Sequence, residues 1–282
     1  MMKVVVIGCT HAGTAAVKTI LNENPGAEVV VYERNDNVSF LSCGIALYIG
    51  GVVKDPQGLF YSNPEELKSL GADVNMEHDV TNVDLEAKKL NVKNLKSGEE
   101  FETTFDKLVL TTGSWPILPP FTGFDLENVQ LCKNYRQAQE IFTRKTDAKK
   151  VVVIGGGYIG IELVEAFALE GKEVTLIDGL DRILNKYLDA EFTDVLEQDL
   201  RDRNVNVQLN QMVKGFEGEN GKVTKVITDS AEYDADMVVV CVGFRPNTDL
   251  VKDQLETLTN GAIIVDNYMK TSHPDVFAAG DS

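Results

Sequence analysis

Histidine and cysteine are scarce in this chain of 282 residues, which carries three of the first and four of the second. Cys9, Cys43, Cys132 and Cys241 form no CxxC spacing and the histidines no HxxxH spacing, so no zinc-type metal site is expected. The cysteines are too scattered to read as a disulfide framework, which points to a reducing, cytoplasmic compartment. Cationic residues are also in deficit: 27 Lys+Arg face 44 Asp+Glu, a net charge of −17. Nucleic acid and anionic membrane surfaces would repel such a chain. Long apolar runs are missing as well. The longest, residues 237–244, falls far short of the roughly 20 residues a membrane span needs. The opening MMKVVVIGCT has one Lys and a short apolar run, unlike a secretory signal. What remains is a chain 43% hydrophobic with 23 Gly and only 8 Pro, enough for about two globular domains of ~150 residues.

Two segments resemble each other. Val4-Val5-Val6-Ile7 leads into Gly8 and Gly13, and Val151-Val152-Val153-Ile154 leads into Gly155, Gly157 and Gly160. Helical spacing follows each turn, over 14–22 in the first case and 158–170 in the second. A second apolar strand closes each unit: Val29-Val30-Val31-Tyr32 and Val174-Thr175-Leu176-Ile177. Strand, glycine turn, helix and strand form the building block of a doubly wound sheet. The expected fold class is therefore α/β, with two Rossmann-like, three-layer nucleotide-binding domains. Short strand patterns occupy 72–112 between them, including Val74-Asn75-Met76, Lys89-Leu90-Asn91-Val92 and Lys107-Leu108-Val109-Leu110. The Pro cluster Trp115-Pro116-Ile117-Leu118-Pro119-Pro120 and the segment Gly243-Phe244-Arg245-Pro246-Asn247 read as two crossovers. Two crossovers imply a second domain, 118–243, inserted into a first domain made of 1–117 and 244–282.

A glycine turn between strand and helix lets backbone approach a pyrophosphate, which then rests on the positive helix N-terminus. The second turn has all three fingerprint glycines, Gly155, Gly157 and Gly160, and Asp178 ends its second strand. An acid at that position accepts from a ribose 2′-hydroxyl and repels a 2′-phosphate, which favours NADH over NADPH. In the first turn, Gly8-Cys9-Thr10-His11-Ala12-Gly13, Thr10 replaces the middle glycine and Glu33 is the acid. Ser39-Phe40-Leu41-Ser42-Cys43-Gly44 precedes a short helix over Ile45–Ile49. A Cys at a helix N-terminus is a candidate nucleophile and oxidisable group. The plain alternative, a buried inert thiol, is assigned to Cys9, Cys132 and Cys241, the last of them within an apolar strand. The closing Val276-Phe277-Ala278-Ala279-Gly280-Asp281 runs as a strand into a turn, where a carboxylate could accept from a polyol hydroxyl.

Taken in order, these pieces resemble the pyridine nucleotide-disulfide oxidoreductases over all 282 residues. The first glycine turn, Cys43, the stretch Thr112-Gly113-Ser114, the second glycine turn and Ala279-Gly280-Asp281 match five family motifs. The resemblance implies FAD on the first domain, held by Gly8, Thr10, His11, Ala12, Gly13 and Glu33. Cys43, Val80, Thr112, Gly113, Ser114, Lys133 and Asp281 complete the implied flavin set. NADH is implied on the inserted domain, along Gly155, Gly157, Tyr158, Ile159 and Gly160, with Glu162, Asp178, Tyr187 and Gly243. Tyr158 would lie over the flavin until nicotinamide displaces it, and Glu162 would orient the nicotinamide amide.

Dithiol members pair cysteines as CxxxxC or CxxC, but Tyr48 and Ala46 occupy those positions here. The chain is accordingly similar to the single-cysteine NADH oxidase and NADH peroxidase branch. Residues 55–62, Thr111-Thr112-Gly113-Ser114-Trp115-Pro116-Ile117 and Leu131-Cys132-Lys133-Asn134 look most like water-forming NADH oxidases of lactic acid bacteria. The implied activity is FAD-dependent oxidation of NADH by dioxygen, with Cys43 cycling between thiolate and sulfenic acid. His11 is the residue implied to protonate or stabilise the oxygen species; its plain alternative is a helix first-turn residue making a local bond. Alternatives are an NADH peroxidase taking hydrogen peroxide, a CoA-disulfide reductase, and a non-catalytic FAD- and NADH-binding module. The CoA-disulfide reading ranks lower because Ile45-Ala46-Leu47 lacks the Pro usual in those members. Family members continue past the AGD motif into a dimer-forming domain. The resemblance thus implies a longer molecule, a homodimer when whole, and weak flavin retention by the 282-residue chain.

Overall fold

A computed structural model describes residues 1–282 as two compact units. The first comprises Met1–Leu41, Phe60–Trp115 and Arg245–Ser282; the second comprises Ser42–Leu59 and Pro116–Phe244.

The first unit is built on a five-stranded parallel sheet, ordered Val276–Ala278, Lys107–Leu110, Lys3–Ile7, Glu28–Glu33, Ala72–Met76. Its strands read as unbroken apolar runs because both faces are covered. Val4, Val6, Val29 and Val31 pack with Val17 of the helix His11–Glu23 and Leu67 of the helix Pro64–Ser69. Val5, Ile7, Val30 and Tyr32 face the other way, onto Val80, Val83, Leu90 and Val92 of an antiparallel sheet. That sheet pairs His78–Asp84, Lys89–Asn94 and Glu100–Thr104. Fully burying one such Val or Leu contributes about 1.5–3 kcal/mol, so the alternation holds three layers together.

The second unit repeats the plan. Its parallel sheet runs Asn206–Gln208, Glu173–Ile177, Lys150–Ile154, Met237–Val240, Val129–Leu131. Val152, Ile154, Val238 and Val240 pack with Phe216 and Val226 of the antiparallel sheet Val213–Glu219, Lys222–Thr228, Glu232–Asp234. The opposite face carries the helix Tyr158–Leu169, whose Leu163, Val164 and Phe167 are buried and whose Gly160 lies against Val153. The expected α/β class with two three-layer units is the observed one.

Three details differ from the sequence reading. The first helix starts at His11 rather than residue 14, because Gly13 lacks the Cβ that would strike the Gly8 carbonyl. Ala72–Met76 and Lys107–Leu110 are strands of the parallel sheet itself, not of a separate intervening segment. Most informative is residues 42–59, expected with the first domain but packed within the second unit. The helix Ile45–Ile49 docks there through Tyr48, stacked on Phe142 at 4.5 Å, and through Gly50, which lies against Ala166. The Lys145 ammonium, nearly buried, donates to the Ile49 carbonyl at 2.5 Å and pairs with Glu170. The division falls at Trp115/Pro116 and Phe244/Arg245, within the two segments read as crossovers. In the second unit the Ile117 amide donates to the Gly243 carbonyl at 2.9 Å; in the first, the Asn247 amide donates to the Gly113 carbonyl at 2.8 Å. No helix is long and apolar enough to cross a membrane.

Candidate functional site

Each parallel sheet ends in a glycine turn at its carboxyl edge, where doubly wound folds bind ligands. In the second unit, a Cβ on Gly155 would collide with the Cys241 carbonyl and one on Gly160 with the Gly155 carbonyl. These two glycines are needed by the protein's own packing. Gly157 is different: a Cβ there meets nothing within 4 Å. It stands as the residue before the helix Tyr158–Leu169 and borders a cavity of about 480 Å³. That volume lies in the range of small-molecule sites.

Asp178 lines the same cavity, half-buried, its two oxygens accepting the Gly156 amide at 2.5 Å and the Leu180 amide at 2.7 Å. The carboxylate is thereby fixed in position with lone pairs left for a hydroxyl donor. Tyr158 and Tyr187 form a tilted ring pair, centroids 4.4 Å apart, on the cavity wall. Gly243, with φ of +109°, and Ile159 line it too, whereas Glu162 of the expected nicotinamide set lines the smaller cavity described next. Open backbone at Gly157, an anchored acid and a positive helix end fit a dinucleotide pyrophosphate and ribose.

A second cavity of about 220 Å³ is lined by Cys43, Cys132, Lys133, Tyr158, Glu162 and Phe244, among others. Tyr158, Ile159 and Phe244 line both cavities, which makes the two neighbours. Cys43 is exposed and lies in the single turn Ser42–Gly44 that leads into the helix Ile45–Ile49. Gly44 behind it is required by Leu59, whose side chain a Cβ would strike. Burial, with Glu165 nearby, raises the Glu162 carboxyl above its ordinary pKa. The Lys133 ammonium sits over the Phe244 ring at 4.5 Å. Lys133, Glu162 and Cys43 are thus brought together although the first and last of them were read as flavin residues.

In the first unit the same glycine logic recurs. A Cβ on Gly8 would strike the Thr111 carbonyl and one on Gly13 the Gly8 carbonyl. Glu33 is 3% exposed and already accepts the Cys9 amide at 2.6 Å and the Asn35 amide and side-chain nitrogen at 2.8 and 2.6 Å. Burial raises its pKa despite those donors. Thr10 and Ala12 flank His11, whose ring stacks on Tyr61 at 5.7 Å with Nδ1 3.3 Å from the Tyr61 hydroxyl. Gly113 has φ of +67° and open space where a Cβ would stand. Ser114 donates to Asp281 at 2.9 Å, and Thr112 donates to the Asn247 carbonyl at 2.6 Å. The Val80 side chain lies in the core, which leaves only its backbone for a ligand. Open backbone at Gly113 and the Ser114–Asp281 carboxylate suit a second dinucleotide.

The three remaining cysteines, all read as inert and buried, do not stand alike. Cys9 and Cys132 are buried, with thiols pushed up by burial to about 11 and about 12. Cys241 is only half-buried, follows the strand Met237–Val240 rather than lying in it, and lines the larger cavity. Cys132 lines the cavity of Cys43. No local signal marks either position, because strand pairing between distant segments creates both.

Two glycine-turn ββα units, each with an acid closing its second strand, define a protein with a pair of dinucleotide folds. A family model, pyridine nucleotide-disulphide oxidoreductase, matches residues 2–282, and the chain belongs to that family. It is 65% identical over 282 residues to an NADH oxidase of Enterococcus faecalis, covering 100% of this chain and 63% of that protein. An NAD(P)H coenzyme A polysulfide/persulfide reductase of Pyrococcus horikoshii is 36% identical, covering 99% of this chain and 62% of that one. Among solved structures, the water-forming NADH oxidase of Lactobacillus brevis bound to NADH superposes with a TM-score of 0.97 at 53% identity, over 100% of this chain and 62% of that one. The chain thus spans under two thirds of the length of these relatives.

Proposed function

We propose that the chain is the dinucleotide-binding portion of an FAD-dependent NADH oxidase that reduces dioxygen to water, with Cys43 as its redox thiol. One observation carries this reading: the exposed Cys43 borders a cavity that shares Tyr158, Ile159 and Phe244 with the cavity of the open glycine turn and Asp178. A thiol beside a nucleotide cleft suits an enzyme that passes reducing equivalents to an oxidant. The named oxidases among its relatives support the same reading.

NADH would rest on the turn at Gly155, Gly157 and Gly160, its ribose hydroxyls donating to Asp178 and its length running past Tyr187 toward Tyr158 and Gly243. FAD would be held by the first glycine turn, Glu33, the Val80 backbone, Thr112, Gly113, Ser114 and Asp281. When bound, the flavin supplies a two-electron carrier between hydride donor and oxygen. Tyr158, half exposed, would be displaced by the nicotinamide. Glu162 would accept from the nicotinamide amide. The Cys43 thiolate attacks an O–O bond, keeps one oxygen as sulfenic acid and releases the other as water. The family resemblance alone gives His11 the part of proton donor to the departing oxygen.

The test is oxygen uptake with NADH by the full-length protein, with and without catalase. The expected result is two NADH per dioxygen and no oxygen returned by catalase. Cys43→Ser should release peroxide and halve that ratio. Peroxide release by the unaltered protein would sink the water-forming reading, and NADH oxidation only with added peroxide or a CoA disulfide would reassign the oxidant.

A further inference from the structure

The strands Val129–Leu131 and Met237–Val240 are parallel neighbours, with Val238 opposite Val129 and Val240 opposite Leu131. The residue directly after each strand is a cysteine, Cys132 and Cys241. Neighbouring strands lie about 4.8 Å apart, within the roughly 4.4–6.8 Å Cα separation that a disulfide spans. Both thiols leave the sheet on one side. Val129, Leu131, Val238 and Val240 pack toward the antiparallel sheet, so the alternation of a strand sends the following residues to the opposite, helix-covered face. Cys132 lies there with Ile159, Glu162 and Leu163 on the smaller cavity, and Cys241 borders the larger one.

We propose that Cys132 and Cys241 form a redox pair that hydrogen peroxide closes to a disulfide, a modification distinct from the chemistry of Cys43. One thiolate attacks the peroxide: an S–O bond forms, the O–O bond breaks, and the departing oxygen takes up the thiol proton as water. The second thiol then attacks the sulfenic sulfur. An S–S bond forms, the S–O bond breaks, and the hydroxyl leaves with the second thiol proton as water. Two electrons pass from the two sulfurs to one peroxide. Burial raises both thiols, Cys132 to about 12, so thiolate is scarce and closure is slow. The pair would register sustained peroxide rather than single turnovers.

This inference does not rest on the oxidase reading, and its test needs no turnover. The folded protein is treated with hydrogen peroxide, denatured, blocked with N-ethylmaleimide, digested and read by mass spectrometry. The expected product joins the Cys132 and Cys241 peptides, two hydrogens lighter than their sum, and disappears on dithiothreitol treatment. Cys43→Ser should retain the linked peptide and Cys132→Ala should lose it. Complete alkylation of both cysteines after saturating peroxide would overturn the proposal. So would a Cys43–Cys132 link in its place, or equal linkage when the chain is oxidised in urea.

Discussion

The glycine turns at 8–13 and 155–160 share their outer glycines and differ at the middle, where Thr10 stands in the first unit and Gly157 in the second. In both, the outer glycines are demanded by carbonyls of the protein itself: Thr111 and Gly8 in one, Cys241 and Gly155 in the other. The middle position is under no such demand at Gly157, which faces open space. The acids differ in the same sense. Glu33 is enclosed by three N–H donors, whereas Asp178 is half-buried on a cavity wall. The outer glycines therefore report on the fold, and the middle residue together with the acid's exposure reports on the ligand.

That division makes ordered predictions. Gly155→Ala should cost the most, about 3 kcal/mol of stability, from a side chain at φ of +105° and collision with the Cys241 carbonyl. Denaturant midpoints measure it; an unchanged midpoint would break the claim that outer glycines serve packing. Asp178→Ala should weaken NADH by about 2 kcal/mol, roughly 30-fold, with a smaller effect on NADPH. Titration of both nucleotides checks this, and equal losses would remove Asp178 from the ribose site. Gly157→Ala should leave the midpoint within about 0.5 kcal/mol while weakening NADH about tenfold, the reverse of Gly155→Ala. A destabilised protein with normal nucleotide affinity would erase the distinction.

The last prediction concerns Glu33. Burial raises its pKa above 4.5, so the folded state holds that proton more tightly than the unfolded chain. Its contribution is present below about pH 4.5 and is lost as pH rises through the higher folded value, by at most about 1.4 kcal/mol per pH unit. Glu33→Gln cannot titrate. The stability difference between variant and unaltered protein should shift in the variant's favour across that window, and a flat difference from pH 4 to 8 would show that burial does not raise the Glu33 carboxyl.

Much of the fold was legible because its causes are local. A β-branched run, a glycine turn and helical spacing repeat within about 30 residues, and Pro116 and Pro246 mark both crossovers. Ile45–Ile49 was read to the residue. The docking of residues 42–59 within the second unit was not legible, since it depends on Lys145 reaching the Ile49 carbonyl from a turn some hundred residues away. The candidate site divides likewise. Asp178 and Gly157 follow from spacing, but Cys132 and Cys241 looked like ordinary core thiols.

By itself, then, the sequence carried the two glycine turns, their acids and Cys43 as a candidate, because strand, turn, helix and acid recur as a motif of about 30 residues. Tertiary structure alone decided that Cys43 travels with the second unit, that Lys133 and Glu162 share its cavity, and that Cys132 comes beside Cys241. Those placements depend on the register of parallel strands far apart in sequence and on one nearly buried ammonium. A linear pattern carries no record of either.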